Sequence, residues 1–554
     1  MIRPMDAIQK IDAFANDTVL LLGLSFAAAL LATLFDALNA KRTGGLNAVV
    51  LVVGVCLSGI AGYYLQQWLR DYLLITNRQA VQVGRFSRQL YGLCDIASIG
   101  ALLAASALGG AATAFLGIRR NSAGEVTRGT QIASSKRWQS DTRKARIKHG
   151  PLITIAGCGV TRDDEIKHFA VFGTTGTGKS VAIREMLMNA QARGDRAFIA
   201  DPDGGFLARF YNPARGDIIL NPFDARSAAW DMMAEAPSDF AADQLAESLI
   251  PDPGGSADTS WTARARVLLS AILRRGRYAG IDIAEVFRLF AIAPREELQI
   301  LLQGTAAEPF LADGAVKLFD NVRSSTGSAL NALEYVAHAG NAPFSITKWA
   351  ASDSKAWVFL PYRADQIAAL KSLIGPWMRL AIMSTMSRAE GDEQPTWFVA
   401  DELDAIGKMQ SLDDALQRVR KFGGRCVLGF QTIGKVRALY GDGIAAALVE
   451  NCGTRLVLRC AGGDRNSTAA FASSLIGHQS YLKESTNQGQ HSKGTSSSGS
   501  SITTVTEDAV LPSQIEQLAD LNGYLKVPSV AAWHTVKVPF VDMPKRSKSF
   551  VAVD

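Results

Sequence analysis

The stretch that most constrains this chain is Gly173-Thr174-Thr175-Gly176-Thr177-Gly178-Lys179-Ser180. It is set between an apolar run, Phe169-Ala170-Val171-Phe172, and a helical pattern over residues 181–191. Strand, glycine-rich turn, then a helix opening on Lys-Ser is the order that a phosphate-binding P-loop requires. The glycines let backbone N–H groups close around phosphate oxygens, and the helix N-terminus adds partial positive charge. In this frame Lys179 reaches the β- and γ-phosphates of ATP, and Ser180 holds Mg²⁺. A chance Gly/Thr-rich turn would leave the agreement of both flanks unexplained.

The apolar run Arg196-Ala197-Phe198-Ile199-Ala200-Asp201 reads as a parallel strand whose C-terminal end lies on the nucleotide side, with a turn at Asp201-Pro202-Asp203-Gly204-Gly205 beyond it. Further strand candidates lie at 218–220, 357–360, 397–400, 427–430 and 456–458, and helical patterns at 366–388, 411–422, 444–449 and 464–476 fall between most of them. This alternation predicts an α/β core, a parallel sheet covered on both faces.

The strand Trp397-Phe398-Val399-Ala400 ends in Asp401-Glu402, which brings two carboxylates to the P-loop edge. Asp401 is expected to hold Mg²⁺, directly or through water, and Glu402 to polarise the water that attacks the γ-phosphate. Gln431 ends the next strand and either senses the γ-phosphate or orients that water, or else occupies an ordinary turn. Arg418, Arg420, Lys421 and Arg425 cluster after the intervening helix. One of them acts on a neighbouring subunit's ATP as an arginine finger, or the group is a basic helix end complementing its own dipole.

A length of 554 residues predicts several domains. Three apolar runs, at about 18–38, 46–69 and 93–118, are each near the ~20 residues of a membrane-spanning helix. Residues 119–150 carry nine Lys/Arg against Glu125 and Asp141, which keeps this stretch cytoplasmic and suits it to anionic membrane lipid. With three spans, the loop at 70–92 falls outside despite Arg70, Arg78, Arg85 and Arg88, against the positive-inside tendency, so two or three spans stay open. The net charge of +6 is too modest to identify a partner, and the six cysteines show no metal-ligand spacing, which suits a reducing compartment. Residues 227–343 hold helical periods and few strand signals, with a basic stripe of Arg264, Arg266, Arg274, Arg275 and Arg277 that either touches nucleic acid or forms a solvated face. Residues 484–506 are Ser/Thr/Gly/Gln-rich and are expected to be a flexible loop, and runs at 523–527 and 531–538 predict a final edge hairpin.

With these parts placed, the chain resembles the coupling ATPases of conjugative type IV secretion systems, the TraD/TrwB-like class. The carrying residues are Gly173 to Ser180, Gly194-Asp195-Arg196 leading to Asp201-Pro202, Ile219-Leu220-Asn221-Pro222-Phe223-Asp224, Asp401-Glu402-Leu403, Arg420-Lys421-Phe422-Gly423, Gly429-Phe430-Gln431 and Leu511-Pro512. The resemblance spans nearly all of the chain after about residue 130. It implies a RecA-like P-loop NTPase core over 166–226 and 344–554, an inserted all-α domain over 227–343, a basic juxtamembrane linker with the first strands over 121–165, and transmembrane helices within 1–120. It further implies a hexameric ring at the bacterial inner membrane, with the ATPase domain in the cytoplasm. Such a ring uses ATP and Mg²⁺ to recruit a relaxase with its accessory relaxosome proteins and to drive single-stranded DNA toward the type IV secretion channel components. By position Arg420 resembles the family's trans-acting arginine. The alternatives are an ATP-gated docking receptor for protein effectors and a chromosome-type DNA translocase.

Overall fold

The computed structural model describes residues 126–252, 260–389, 394–490 and 496–553. The three apolar runs, and the membrane topology drawn from them, lie outside the described residues. Among the described residues no helix is long and apolar enough to cross a membrane.

The frame is a ten-stranded sheet. In chain order its strands are β1 (Ile132–Ser134), β2 (Phe169–Phe172), β3 (Arg196–Pro202), β4 (Ile218–Ile219), β5 (Val358–Tyr362), β6 (Thr396–Ala400), β7 (Gly424–Phe430), β8 (Thr454–Val457), β9 (Asn522–Lys526) and β10 (Trp533–Lys537). Their spatial order is β1-β10-β9-β8-β2-β7-β6-β3-β5-β4. From β8 to β4 every neighbouring pair is parallel. Strand β9 runs against both β8 and β10, and β1 joins β10 in parallel. The hairpin expected at the sheet's edge is therefore present but internal, because β1 takes up the free side of β10. The three residues of β1 carry too little apolar alternation to announce a strand; their pairing is a consequence of where β10 lies.

The central strands read as continuous apolar runs because both of their faces are buried. Along β2, Phe169 and Val171 join a cluster with Ile183 and Met186 of α1 (Lys179–Arg193), whereas Ala170 and Phe172 face the opposite cluster. That second cluster is continuous from the sheet into the helices between β4 and β5, which include α2 (Asp239–Leu249) and α3 (Ser260–Ala279). A short parallel pairing of Ala229–Trp230 with Pro343–Phe344 closes the neck of this helical segment. Glu235 ties the neck from inside, accepting from the backbone N–H groups of Ile346 at 2.6 Å and Thr347 at 2.9 Å and from Trp230 Nε1 at 3.1 Å. Of the five arginines of the basic stripe on α3, Arg266 pairs with Asp252 at 2.8 Å, Arg274 with Asp243 at 2.5 Å and Arg277 with Asp239 at 2.9 Å, Arg275 donates to the Gln303 carbonyl at 2.7 Å, and Arg264 lies over the Trp261 ring at 4.9 Å. The helix following β5, α4 (Ile367–Thr385), packs on α2 through Arg379, whose Nη2 meets Glu247 at 3.1 Å.

Of the stretch at 484–506, residues 484–490 and 496–506 lie in a long antiparallel ribbon, His478–Gln490 with Ser496–Asp508, flanked by Val126–Gly129. Its composition denies it a core of its own, but a two-stranded ladder satisfies backbone groups without one, and the run Thr503-Thr504-Val505-Thr506 is β-branched throughout.

Candidate active site

The P-loop is anchored at three points beyond β2. Gly173 N–H donates to the Phe430 carbonyl at 3.1 Å, Thr174 N–H to Arg459 O at 2.9 Å, and Leu521 N–H to Thr177 O at 2.9 Å. The loop is thereby tied to the C-terminal ends of β7 and β8 and to the start of β9. Gly178 must be glycine for two reasons: its φ is +114°, and a Cβ there would lie 2.6 Å from Leu521 Cδ2. Lys179 opens α1 and is buried, with Nζ donating to Gly173 O at 2.7 Å and Thr174 O at 3.3 Å, which holds the ammonium across the mouth of the loop. Thr177, also buried, closes the turn by donating to Thr174 O at 2.8 Å. Gly176 has φ +80°, and a Cβ there would meet nothing within 4 Å, so the cradle is open on that side.

The second element meets the first through one contact. Ser180 Oγ donates to Asp401 Oδ2 at 2.5 Å. Asp401 is 3% exposed, and its other oxygen, Oδ1, is buried without a hydrogen-bond partner. Burial pushes the Asp401 pKa up, opposed by the Ser180 hydroxyl and by the Lys179 and Arg184 cations. A buried carboxylate oxygen with no donor, beside a helix-N-terminal hydroxyl, fits a hard divalent cation such as Mg²⁺, which takes one or two protein oxygens and leaves its other positions to phosphate and water. Glu402 follows directly and is half-buried; burial and the adjacent Asp401 charge raise its pKa, opposed by Lys179. The chain can turn here only because Gly429 gives way: Leu403 N–H donates to Gly429 O at 3.0 Å, and a Cβ on Gly429 would lie 1.8 Å from Asp401 O.

Gln431, one residue past β7, donates from Nε2 to Thr175 Oγ1, so the structure brings it to the crown of the P-loop. Arg420 is not brought there. It is exposed in the turn Arg420–Phe422, after α5 (Leu412–Val419) and before β7 begins, at the opposite end of the strands. Arg425 leaves the group of candidate fingers altogether: it is 4% exposed, with Nε to Glu165 Oε2 at 3.2 Å and Nη1 to Gly423 O at 2.6 Å. It belongs to a buried ion network in which Arg193 also meets Glu165 at 2.7 Å and Asp195 at 2.5 Å.

A further acid, read from the sequence as the end of a strand on the nucleotide side and given no role there, belongs to the site. Asp201 follows Ala200, which is in register with Ala400, so Asp201 and Asp401 leave adjacent strands together. Asp201 is fully buried and accepts from Phe206 N–H at 3.0 Å and Leu207 N–H at 2.6 Å. Burial, with Asp401 contributing, pushes its pKa up to about 7 against those two hydrogen bonds. The signal was present in the sequence: an acid ends both apolar runs, and parallel register aligns the two.

Residues 152–539 match the family described as the type IV secretion-system coupling protein DNA-binding domain. The chain is similar to coupling protein TraD of Escherichia coli (strain K12), 30% identical over 449 residues, which are 79% of this chain and 61% of TraD. The chain thus spans less than two thirds of the length of that curated relative. Among solved structures it is similar to the bacterial conjugative coupling protein TrwBdeltaN70 in its unbound monoclinic form, with a TM-score of 0.68 and 30% identity over 78% of this chain and 98% of that one. Plasmid coupling protein TrwB in complex with ADP and Mg²⁺ gives a TM-score of 0.68 and 29% identity over 78% of this chain and 99% of that one. The complex of TrwB with the ATP analogue ADPNP matches with the same values.

Proposed function

The chain belongs to the type IV secretion-system coupling proteins of the TraD/TrwB type, and from that membership we propose that it is a membrane-anchored P-loop ATPase that recruits a relaxase–DNA complex and drives single-stranded DNA into the secretion channel during conjugation. The observation that carries the reading is the joined pair Ser180–Asp401, with Asp401 Oδ1 unpaired and Glu402 next to it. TrwB in complex with ADP and Mg²⁺, and with ADPNP, supports the assignment of the loop to ATP.

Lys179 binds the β- and γ-phosphates, and backbone N–H groups of Gly173 to Lys179 surround them. Ser180 and Asp401 hold Mg²⁺, which when bound neutralises charge on the phosphate oxygens. Glu402 orients the attacking water and accepts its proton, Gln431 orients the same water from the P-loop crown, and Arg420 of an adjacent subunit stabilises the charge on the transferred group. The unit works as a homo-oligomer, a hexameric ring at the inner membrane with its ATPase domain in the cytoplasm. Contacts of the ring to the DNA backbone make binding steeply salt-dependent and indifferent to base sequence.

The test is titration of the oligomer-competent chain with labelled ATP and Mg²⁺, followed by hydrolysis with and without single-stranded DNA. Saturable uptake is expected for the wild type and its loss for Lys179→Ala. Glu402→Gln is expected to keep binding and lose hydrolysis by about 10²–10⁴-fold. Absence of saturable uptake sinks the ATPase reading; hydrolysis that ignores single-stranded DNA sinks the translocation part.

A further inference from the structure

The last residue of β5 presents a polar atom that none of the roles above uses. Tyr362 is 4% exposed, and its hydroxyl is buried with no hydrogen-bond partner. A buried phenol almost always finds one, because an unmade bond costs the hydroxyl its hydration without return. The ring is held in place by its backbone: Tyr362 pairs with Pro202 on β3, and its carbonyl accepts from Asp203 N–H at 2.8 Å. It stands in the same buried cluster as Ala200 of β3 and Ala400 of β6, the face from which the chain turns into Asp401-Glu402. The hydroxyl lies in the field of four carboxylates, with Glu402 foremost, then Asp401, Asp201 and Asp404. With burial, that field raises its pKa and keeps the phenolic proton on the oxygen.

Of the other three carboxylates, Asp201 accepts from two backbone N–H groups, Asp401 accepts from Ser180 through Oδ2 and keeps Oδ1 for the cation, and Asp404 meets Lys435 at 3.6 Å through Oδ2 while its Oδ1 is buried and unpaired. Among the described residues no side-chain hydrogen bond or ion pair holds Glu402. Tyr362 is level with Pro202, and Ala400 with Ala200, so on the two strands that flank β3 a buried donor without an acceptor ends at the level of a carboxylate without a donor, the one assigned to the attacking water.

We propose that Tyr362 is a positioning residue whose hydroxyl donates to the Glu402 carboxylate, directly or through one bridging water, and fixes it for hydrolysis. The proposal rests on the reading of Glu402 given above. A phenol suits the task because it presents one rigid donor from a strand and brings no charge that would compete with Lys179 or Mg²⁺.

The test is Tyr362→Phe in the full chain, alone and combined with Glu402→Gln. Removing one oxygen from a packed ring leaves the fold intact, so the thermal midpoint is expected to hold or rise, and the affinity for a fluorescent ATP analogue to stay within about twofold. The kcat for ATP is expected to fall about tenfold or more with KM unchanged. In the Glu402→Gln background the same substitution is expected to change the residual rate by less than about twofold, because the two act as one unit. An unchanged kcat, or losses that simply multiply in the double variant, overturns the role. So does a fall in kcat accompanied by equal losses in affinity and midpoint, since a packing defect produces that pattern. A wild type without ATPase activity removes both readings together, whereas an active wild type with an indifferent Tyr362→Phe removes this one alone.

Discussion

His168 precedes β2 with a left-handed φ of 61°, and its residue is 2% exposed. Nδ1 accepts from Cys426 N–H at 3.0 Å, which leaves Nε2 to donate to Leu416 O at 2.7 Å. The ring is therefore neutral and pins the P-loop strand to β7 and α5 at once. Burial pushes its pKa down to about 4; the Arg420 and Arg425 cations add to the fall and the Leu416 carbonyl opposes it. In the unfolded chain the ring titrates near ~6.5, so between about 6.5 and 4 the unfolded state binds the extra proton. Stability contributed by the neutral ring is present above that window and is lost as pH falls through it, by up to about 3 kcal/mol. Subtracting the denaturation curves of His168→Gln from those of the wild type isolates this group, and the difference is expected to shrink by that amount from pH 7 to 4. Parallel curves would dispose of the idea. Five residues after Arg420, Arg425 makes a contrasting prediction: Arg425→Ala, which takes a cation from buried Glu165, is expected to lower stability by about 3 kcal/mol, and Arg420→Ala on the surface to leave the denaturation midpoint within about 0.5 kcal/mol.

At the scale of elements, the site is a product of two neighbouring strand ends and a crossing. The Asp401-Glu402 turn passes over Gly429 so closely that Gly429→Ala is expected to push it away from Ser180, lowering the thermal midpoint by the equivalent of about 2 kcal/mol and ATP hydrolysis well beyond what the stability loss explains. A midpoint and rate like the wild type's would show that the turn has room to spare. The P-loop, the Asp401-Glu402 strand and Gln431 were legible in sequence because each is a short motif whose chemistry lies within a few residues, and apolar runs three to six long marked the buried strands. What was not legible depends on which strand lies beside which. Tyr362 gains its meaning only when β3 is set between β5 and β6, β1 becomes a strand only by meeting β10, and the ribbon of 478–490 with 496–508 is held by ladder pairing that its composition does not advertise. Arg425 misled for a related reason: its charge is visible in the sequence, but its buried partner Glu165 is 260 residues away.

At the scale of the molecule, the decisive fact is the distance between Arg420 and the loop it is meant to serve. Strand β7 runs from Gly424 to Phe430, with the P-loop hydrogen-bonded at its last residue and the Arg420 turn before its first. Seven residues of extended chain separate the two ends by about 20 Å. No rotamer of Arg420 spans that gap, so within one subunit the guanidinium cannot meet its own nucleotide. If Arg420 completes the site, a neighbour supplies it across a head-to-tail contact, and each interface then uses the loop of one subunit and the arginine of the next. Two variants separate these contributions. Lys179→Ala disables the loop and keeps the arginine; Arg420→Ala keeps the loop, with nucleotide affinity unchanged, and is expected to lose about 10³-fold in hydrolysis. Each is inactive alone. Mixed in equal amounts and allowed to assemble, they form interfaces of which about one quarter carry both wild-type halves, and hydrolysis is expected to return to about that fraction of the wild-type rate. A mixture that stays as inactive as its parts, or an Arg420→Ala variant that hydrolyses ATP within twofold of wild type, removes the arginine from the site and with it the reason for assigning catalysis to the oligomer.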